Sequence, residues 1–514
     1  MKLEVIRDNN DSIINKIIEV NNLTKDQINQ LKSNNIEISK LKDDSFIKAK
    51  ERILLAKENN EKVFVAGDYD CDGVMATTIV KDLLDRLGID NGYYIPSRFK
   101  EGYGLNANTI DQVHEKGYSL VITVDNGVKA YDALNKCKEY GIDVIVTDHH
   151  TMDKKLDVYT ILHPQLMDKQ YEGLAGAGVA LFLSRMFFDI DYHIVLAMIA
   201  TIGDMMPVWN ENRVIIKKGL ELLNNNNYNN IKLLMNDDKI FDEKDISFNL
   251  APKINSIGRL GNINVNQLVN YFSIDDIQYI QKFSRLINEQ NELRKSMSKD
   301  MTEIAMNNIN LDNDILFTVN DTYHEGICGL VAGALTNKYY KPSIVLSYKN
   351  GIYKGSGRSN NDINLYEELN KYKDLYMAFG GHSKAVGLTI HEDNYDKFKD
   401  IINNIRFGYE VTNIQAFELT KDELTIQHIL EINTLRPFGT EFVLPLFYIE
   451  NNNPISLTMV KDKYPKWLLQ YDPKIEAICF DPTINVSEKY LLFEPTINEF
   501  KGKRSVSLLV KNLV

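Results

Sequence analysis

Three aspartates alternate over residues 68–73 of this chain of 514 residues, and their spacing is that of a site for a hard cation. Asp68, Asp70 and Asp72 directly follow the short apolar run 63–66, which is typical of a buried strand. Three carboxylates this close together repel one another and take up protons unless a cation offsets their charge. Oxygen ligands of this kind suit a hard divalent metal. The segment therefore predicts a metal site at the end of a strand, where open α/β sheets build their sites.

A calcium-binding EF-hand loop begins with the same D-x-D-x-D-G pattern, and the sequence excludes it. Such a loop needs a bidentate Glu at about its twelfth position. Counting from Asp68, that position holds Ile79, which cannot bind calcium. A strand-like run precedes the segment as well, whereas an EF-hand loop follows a helix.

Polar residues also follow two further apolar runs, at 120–124 and 144–147. Helix-like stretches lie between the runs, and this alternation predicts right-handed βαβ units with a parallel sheet. Because loops after parallel strands open on the same edge of a sheet, they bring their side chains together. A further candidate, Asp204, follows the apolar run 194–202. The side chains that the three loops gather are Asp68, Asp70, Asp72, Asp125, His149 and His150.

Composition is ordinary for a globular protein, with 44% hydrophobic and 25% charged residues, and the length predicts three or four domains. The four cysteines lie far apart without a C-x-x-C pair, which indicates neither a disulfide framework nor a zinc site. Residues 1–10 lack the apolar core of a signal peptide. The most apolar region, 176–202, is broken by charged residues and cannot span a bilayer. We therefore expect a cytoplasmic protein without a membrane partner.

The formal net charge of −12 argues mildly against nucleic acid, although a binding groove needs only a local excess of cations. From Lys461 onward the chain is slightly basic and interleaves lysines with aromatic residues. Cations next to aromatic rings are typical of surfaces that stack single-stranded bases. Tyr464 and Trp467 are the predicted stacking residues. A solvated β-hairpin with a few core aromatics fits the same composition.

Taken in order, the motifs resemble those of the DHH phosphoesterase superfamily, and more narrowly those of the RecJ-type single-strand exonucleases. The matching segments of the first half are 68–73, 98–105, 124–127, 148–150, 203–204 and 255–259. The segments 324–329, 355–359 and 380–387 are similar to the companion DHHA1 domain. The resemblance runs from about residue 45 to the C-terminus.

The resemblance implies an α/β architecture with two lobes, DHH and DHHA1 parallel-sheet domains joined by a long helix, and a small OB-like β-barrel after them. Residues 274–308 favour the helix themselves, since they contain neither proline nor glycine. The expected parts are a helical lead-in (1–58), the DHH catalytic domain (59–262), the connecting helix (263–310), the DHHA1 domain (311–408) and an OB-fold-like nucleic-acid-binding domain (409–514).

Two Mn²⁺ or Mg²⁺ ions are the cofactors that the resemblance implies. A pair of such ions about 3.5–4 Å apart can clamp a phosphodiester and activate water. Asp125 is expected to bridge them, and Asp68 to be an extra ligand or a partner of one. The other expected ligands are Asp70, Asp72, His149 and Asp204. His150 is expected to act with Asp125 in catalysis by contacting the scissile phosphate, and Asp148 to orient the neighbouring histidine.

Phosphate binders are expected in the remaining motifs, because arginine forks pair well with phosphate oxygens and small residues permit a close backbone approach. The arginine candidates are Arg98, Arg259 and Arg358. The other candidates that the resemblance implies are Tyr103, Asn255, Ser356, Gly380, Gly381 and His382.

Three functions compete at this point. The first is a metal-dependent exonuclease that degrades single-stranded DNA from its 5′ end, releasing mononucleotides in DNA repair and recombination. The second is a phosphodiesterase for short oligonucleotides or cyclic dinucleotides, which needs no stacking platform in a C-terminal domain. The third is a non-catalytic replication scaffold, which has no chemical need for a complete ligand set. No motif distinguishes DNA from RNA or Mn²⁺ from Mg²⁺.

Overall fold

Three β-sheets organise the computed structural model of the chain. It describes residues 2–6, 12–99, 101–102, 104–235, 239–360, 363–407, 413–451, 454–470, 472–482, 484–487, 490–500 and 502–511. The chain divides into a larger unit, Glu37–Met206 with Val214–Gly408, and a smaller unit, Met1–Ile36 with Pro207–Arg213 and Tyr409–Val514.

The strands and helices are named in chain order. The strands are β1 (Lys2–Ile6), β2 (Lys62–Ala66), β3 (Asn91–Tyr94), β4 (Tyr118–Val124), β5 (Asp143–Thr147), β6 (Thr160–Leu162), β7 (Leu316–Asn320), β8 (Ser343–Lys349), β9 (Ile352–Arg358), β10 (Tyr376–His382), β11 (Ala385–His391), β12 (Asn413–Glu418), β13 (Leu446–Glu450), β14 (Ile455–Val460), β15 (Tyr464–Leu469), β16 (Asp472–Cys479), β17 (Tyr490–Phe500) and β18 (Lys503–Lys511). The helices are α1 (Ile13–Val20), α2 (Lys25–Lys32), α3 (Asp44–Glu58), α4 (Cys71–Leu87), α5 (Ala107–Glu115), α6 (Tyr131–Glu139), α7 (Gly176–Arg185), α8 (Asp191–Gly203), α9 (Asn210–Asn225), α10 (Asn229–Met235), α11 (Glu243–Asp245), α12 (Ala251–Leu260), α13 (Asn266–Ser273), α14 (Ile277–Asn308), α15 (Cys328–Tyr339), α16 (Leu365–Asn370), α17 (Glu392–Asn404) and α18 (Ile426–Thr434).

The first sheet of the larger unit has the strand order β3-β2-β4-β5-β6, and all its pairs are parallel. Its central strands β2, β4 and β5 are almost wholly buried, which is why they occur as continuous apolar runs in the sequence. The predicted parallel sheet is confirmed here. Its carboxyl edge carries the loops that begin at residues 67, 125 and 148.

The second sheet of the larger unit has the order β10-β11-β9-β8-β7, and only the pair β7–β8 is parallel. The expectation of a parallel sheet is therefore wrong in detail for this domain, whose sheet is mixed. The physical reason is the two-residue turn Asn350-Gly351, where both residues have positive φ, 49° and 78°. Such a turn joins two antiparallel strands directly, and Asn-Gly is its usual sequence.

The long helix α14 extends over 32 residues and joins the two sheet domains of the larger unit, as expected from the sequence. Asp276 caps its first turn by accepting from the backbone N–H of Gln278 at 2.9 Å. The helix packs on α10 and α12 of the first domain and on α15 and β7 of the second. None of the helices in the described part of the chain is long and apolar enough to cross a membrane.

The sheet of the smaller unit has eight strands in the order β1-β12-β13-β17-β18-β16-β15-β14. Its first strand, β1, pairs in parallel with β12. The expected helical lead-in is therefore wrong for residues 2–6, where Leu3 and Val5 alternate with charged neighbours in the manner of a strand. The helices α1 to α3 account for much of the rest of the lead-in.

Trp467 lies in the core of this sheet, with no exposed surface. Along β15, Pro465, Trp467 and Leu469 are buried, whereas Tyr464 and Lys466 on the other side of the strand are half-buried. The prediction that Trp467 stacks a base is therefore wrong, because successive side chains of a strand point to opposite faces. Tyr464 packs edge-on to the exposed ring of Phe480, at 5.4 Å between ring centres, and its stacking role stays a prediction.

We predict that Trp467→Ala lowers the free energy of unfolding by about 3–5 kcal/mol, because a large buried side chain loses its packing and leaves a cavity. Urea denaturation followed by far-UV circular dichroism measures the change. Tyr464→Ala on the same strand is the control and is expected to have a smaller effect. Unchanged stability of Trp467→Ala would contradict the buried position.

Candidate active site

The candidate site lies at the carboxyl edge of the first sheet, where β2, β4 and β5 end. Asp125 follows β4 directly and adopts a left-handed backbone conformation with φ of 58°. This conformation costs a non-glycine residue about 1–3 kcal/mol and persists only where the surroundings enforce it. Its backbone N–H donates to the carbonyl of Thr147 on β5, at 3.0 Å. The strained backbone therefore holds the Asp125 carboxylate at the point where neighbouring strands end.

His149 lies among three carboxylates. Its Nε2 is 3.1 Å from Oδ1 of Asp125, 3.6 Å from Oδ2 of Asp204 and 3.7 Å from Oδ2 of Asp72. Asp204 comes from the end of the helix α8 rather than from a strand. The carboxyl end of a helix carries partial negative charge, which increases the repulsion within the group.

Three overlapping sets of side chains could each hold a metal ion, and Asp125 belongs to two of them. Asp68, Asp70 and Asp125 form the first set, Asp72, His149 and Asp204 form the second, and Asp125, His149 and His150 form the third, with ligand atoms within 4.8 Å of one another in each. Asp125 reaches the second set through its short distance to His149. A residue that bridges two ions has to occupy such an intermediate position.

The electrostatics of the cluster favour a bound cation. Burial, followed by the repulsion of neighbouring carboxylates, raises the pKa of Asp72 to about 7 and that of Asp204 to about 9. The same causes raise the pKa values of Asp68 and Asp125 well above the ordinary range. Burial, and then the charge of the neighbouring His150, lowers the pKa of His149 to about 3. His149 is therefore a neutral imidazole, the form that binds metals.

The donor set fits Mg²⁺ or Mn²⁺. Five carboxylates and two imidazoles are available, and a donor set made up mainly of hard oxygens suits these ions. Asp68 is 1% exposed, and its Oδ1 has no hydrogen-bond partner among the residues that the structure describes. A buried carboxylate oxygen without a donor is costly unless a cation approaches it.

The N-terminus of α7 supports two of the aspartates. Both oxygens of Asp72 accept from backbone N–H groups there, from Gly176 at 2.7 Å and from Ala177 at 2.6 Å. The partial positive charge of a helix N-terminus stabilises such a carboxylate. A Cβ on Gly176 would lie 2.6 Å from that of Asp125, so only glycine permits this approach.

Asp148 orients His150 and not His149. Its Oδ1 lies 2.8 Å from Nδ1 of His150, and its Oδ2 accepts from the backbone N–H of Val128 at 3.0 Å. Burial alone would lower the pKa of His150, but the hydrogen bond to Asp148 raises it above its ordinary value. The two neighbouring histidines thus differ in environment.

Four arginines converge beside the metal ligands. Burial, followed by the charges of Arg98, Arg358 and Arg294, lowers the pKa of Arg259 to about 10. In the described part of the chain, none of the four forms an ion pair with a carboxylate. Guanidinium groups held close together and not in direct ion pairs with carboxylates suit a phosphate ligand, which accepts their paired donors.

Comparison with known proteins agrees with this arrangement. Family models match three parts of the chain: the DHH family, N-terminal domain, over residues 62–203, the DHHA1 domain over 312–405 and the RecJ OB domain over 416–512. In these three domains and their order the chain is similar to RecJ-type proteins of the DHH family. The single-stranded-DNA-specific exonuclease RecJ of Bacillus subtilis (strain 168) is 34% identical over 493 residues. That match covers 90% of this chain, which spans 62% of the length of the Bacillus protein.

Solved structures extend the match to the fold. The crystal structure of RecJ in complex with Mn²⁺ from Thermus thermophilus has a TM-score of 0.83 at 22% identity, over 99% of this chain and 79% of that chain. A crystal structure of exonuclease RecJ bound to manganese has a TM-score of 0.63 at 28% identity. It matches over 71% of this chain and 95% of that chain.

The remaining predicted site residues have different surroundings. Asn255 accepts from the backbone N–H of Cys71 at 2.8 Å and so supports the loop of Asp70 and Asp72. Ser356 is buried on β9, and Gly380 and Gly381 are exposed on β10. Burial and the charge of Arg358 lower the pKa of His382, which lies in the same region. Tyr103 lies outside the described residues, and these binding roles stay predictions.

Two supporting features are not apparent in the sequence. Arg294 belongs to α14, where it is one of several charged residues of a long helix, and only the fold brings it to the other arginines. Asn126 holds neighbouring loops together: its Nδ2 donates to the carbonyl of Ala66, and its Oδ1 accepts from Leu105. For Asn126, the sequence gives one indication of this supporting role, namely its position directly after Asp125.

We predict that Gly176→Ala weakens Mn²⁺ binding about 10–100-fold, because the new methyl group displaces Asp125 and loosens the support of Asp72. Isothermal titration calorimetry measures the affinity. Gly333→Ala on α15 is the matched control, since a Cβ there meets nothing within 4 Å. Equal Mn²⁺ affinity of Gly176→Ala and the wild type would show that Asp125 takes no part in the site.

Proposed function

We propose that this RecJ-type chain hydrolyses phosphodiester bonds in single-stranded DNA, acting as a metal-dependent 5′ to 3′ exonuclease that releases mononucleotides in DNA repair and recombination. The proposal depends chiefly on one observation: two acidic ligand sets lie beside four arginines that form no direct ion pair with a carboxylate of the described residues. The name of the 34% identical relative, single-stranded-DNA-specific exonuclease RecJ, supports single-stranded DNA as the substrate. The chain spans 62% of that relative, so the activity of the whole relative is part of the proposal.

Two Mn²⁺ or Mg²⁺ ions are the proposed cofactors. Asp68, Asp70 and Asp125 would hold one ion, and Asp72, His149 and Asp204 would hold the other, with Asp125 between them. When bound, such ions supply an activated water and stabilise negative charge on the phosphodiester. The solved structure of exonuclease RecJ bound to manganese supports this assignment.

His150 is the proposed contact to the scissile phosphate. Asp148 fixes the orientation of its ring through the 2.8 Å contact to Nδ1. The Nδ1 of His150 also lies 3.9 Å from Oδ1 of Asp125, so the ring is beside the ligand sets. Since its environment favours the protonated form, this ring offers an N–H group and positive charge near the developing charge of the reaction.

The arginines are proposed to hold the phosphate at the 5′ end of the strand. Arg98 and Arg259 come from the first domain, and Arg358 comes from the second. Arg294 adds a fourth charge from α14. A terminal phosphate carries more negative charge than an internal one, which favours the end of the strand over its middle. Ser356, Gly380, Gly381 and His382 are the proposed neighbours of this phosphate.

The smaller unit is proposed to hold the rest of the strand. The match of residues 416–512 to the RecJ OB domain supports this role. A short oligonucleotide or a dinucleotide would have no use for such a domain, and the complete ligand set disfavours a scaffold without activity. We further propose a cytoplasmic location, where DNA is available and where the four free, buried cysteines stay reduced.

Digestion of 5′-phosphorylated, 3′-labelled single-stranded DNA with Mn²⁺ tests the proposal. The expected result is stepwise shortening from the 5′ end that EDTA abolishes, with no digestion of a duplex. Cleavage of a dinucleotide alone would move the protein to the short-substrate class. Absence of all hydrolysis, together with retention of the long strand in a gel shift, would favour a scaffold.

We predict that Asp125→Ala lowers kcat at least about 1,000-fold while the strand remains bound, because the bridging carboxylate is lost and the arginines are unchanged. Single-turnover cleavage and fluorescence anisotropy measure the two quantities. Asp153→Ala, at an exposed position of the same domain, is the control. Turnover of Asp125→Ala near the wild-type rate would refute the bridging assignment.

We predict that Arg358→Gln raises the KM for a 5′-phosphorylated strand about 10–100-fold, the effect of removing a charged hydrogen-bond donor. A 5′-hydroxyl strand should respond much less, because it lacks the terminal phosphate. Steady-state kinetics on the two strands provide the comparison. Arg285→Gln on the exposed surface of α14 is the matched control. Equal effects of Arg358→Gln on both strands would contradict a site for the terminal phosphate.

A further inference from the structure

The loop between β7 and α15 lies against the end of the helix that carries Arg259. His324 of this loop accepts from the backbone N–H of Gly326 through Nδ1, at 3.2 Å. Burial lowers the pKa of His324, and the backbone carbonyl of Leu260 opposes that shift. The Nδ1 of the ring therefore links His324 to the backbone of Gly326, the next residue but one.

The same histidine contacts the loop that carries Arg98. The rings of His324 and Phe99 meet edge-on, with 5.6 Å between their centres and an angle of 80°. Phe99 directly follows Arg98 in the sequence. On its other side the Phe99 ring lies against Gly261, where an added Cβ would come within 2.3 Å of the ring. Phe99 therefore lies between the helix end and His324.

Gly326 of the loop and Gly329 in the first turn of α15 permit unusually close approaches to the other arginines. A Cβ on Gly326 would lie 1.9 Å from the carbonyl oxygen of Arg259, and one on Gly329 would lie 2.8 Å from the guanidinium of Arg358. Glu325, directly before Gly326, pairs with Lys354 of β9, at 2.9 Å, and so ties the loop to the second sheet. Residues 324–329 therefore contact the surroundings of all three predicted phosphate-binding arginines.

We propose that His324 is a positioning residue that fixes Arg98 and Arg259, from the first domain, in register with Arg358 from the second. The proposal rests on the proposed function, in which these arginines hold the terminal phosphate. His324 itself is not proposed to touch the strand. It acts through its contact with the Phe99 ring, one residue from Arg98, and through its hydrogen bond to the Gly326 backbone, which lies against the Arg259 carbonyl.

Repulsion between the arginines is the physical reason why a positioning residue is needed here. Burial and the neighbouring guanidinium groups lower the pKa values of Arg259 and Arg358, which means that their positive charges disfavour one another. Without a phosphate, like charges of this kind move apart unless the backbone around them is fixed. A preformed arrangement spares the phosphate the energy of assembling its own site.

The test compares variants that remove different parts of the contact. His324→Ala removes the acceptor for the Gly326 N–H and the ring against Phe99, whereas His324→Gln keeps an acceptor of similar reach. His391→Ala is the matched control in the same domain. His391 also accepts through Nδ1 from a backbone N–H two residues later, that of Asp393 at 3.4 Å, but it lies at the start of α17 with its side chain 45% exposed.

Binding is measured by fluorescence anisotropy on the full chain with Mn²⁺, using an oligothymidylate whose phosphorothioate linkages resist cleavage. We expect His324→Ala to bind the 5′-phosphorylated strand about tenfold more weakly, the effect of one lost hydrogen bond with its packing. The 5′-hydroxyl strand should bind unchanged. His324→Gln should recover most of the loss, and His391→Ala should equal the wild type. In cleavage assays the KM should rise about tenfold while kcat stays within about twofold, since the metal ligands are untouched.

Wild-type affinity of His324→Ala for the phosphorylated strand would overturn the proposal. An equal loss for both strands, or no recovery in His324→Gln, would overturn it too by reducing His324 to a stabilising residue. A wild-type protein that binds the phosphorylated strand preferentially but cleaves nothing would refute the proposed function, and a selective loss in His324→Ala would still support the positioning role. A wild-type protein without preference for the 5′-phosphate would refute the positioning role, even if it cleaves DNA.

Discussion

Repulsion among buried carboxylates is the constraint on which the rest of the structure depends. Asp68, Asp72 and Asp125 are each 1% exposed, and burial with mutual repulsion raises the pKa of each. Apolar surroundings alone would disfavour these buried carboxylates. Hydrogen bonds from the backbone and the backbone conformation hold them in place instead. The N-terminus of α7 donates to Asp72, and the strained backbone of Asp125 fixes the carboxylate between two ligand sets. The opposing charge that completes the cluster is that of the proposed divalent ions.

In the arginine cluster, positive charges repel one another. The larger unit brings these charges together from separate elements of its two domains. Four like charges cannot easily be gathered from one element, because neighbouring guanidinium groups on a single helix or strand would disfavour that element. Here Arg98 lies in a loop, Arg259 on α12, Arg294 on α14 and Arg358 on β9, so each is held by a different element. The helix α14, which packs on both domains, carries the structural connection.

The sequence predicts well that Asp68, Asp72, Asp125 and His149 lie together, because they follow strands of one parallel sheet. Short apolar runs predict parallel strands, and the residue after each strand must lie at the same edge. Features that depend on tertiary packing escape this logic, as the support of Asp72 by α7 and the approach of Arg294 to Arg259 illustrate. The antiparallel pair β8–β9 of the mixed second sheet was predictable from the sequence, since Asn350-Gly351 between these strands is a recognisable hairpin signal. Trp467 also had a local signal, because it shares its side of β15 with Pro465 and Leu469.

Two adjacent histidines of one loop show how far environment, rather than residue type, determines chemistry. His149 faces Asp125 and has its pKa lowered to about 3, first by burial and then by the charge of His150. His150 pairs with Asp148, which raises its pKa despite burial. A single carboxylate therefore separates a neutral ring suited to metal binding from a ring that favours positive charge. Asp148 also accepts from the backbone N–H of both histidines, at 2.7 and 3.1 Å. The same side chain therefore fixes the conformation of the loop and makes the environments of the two rings different.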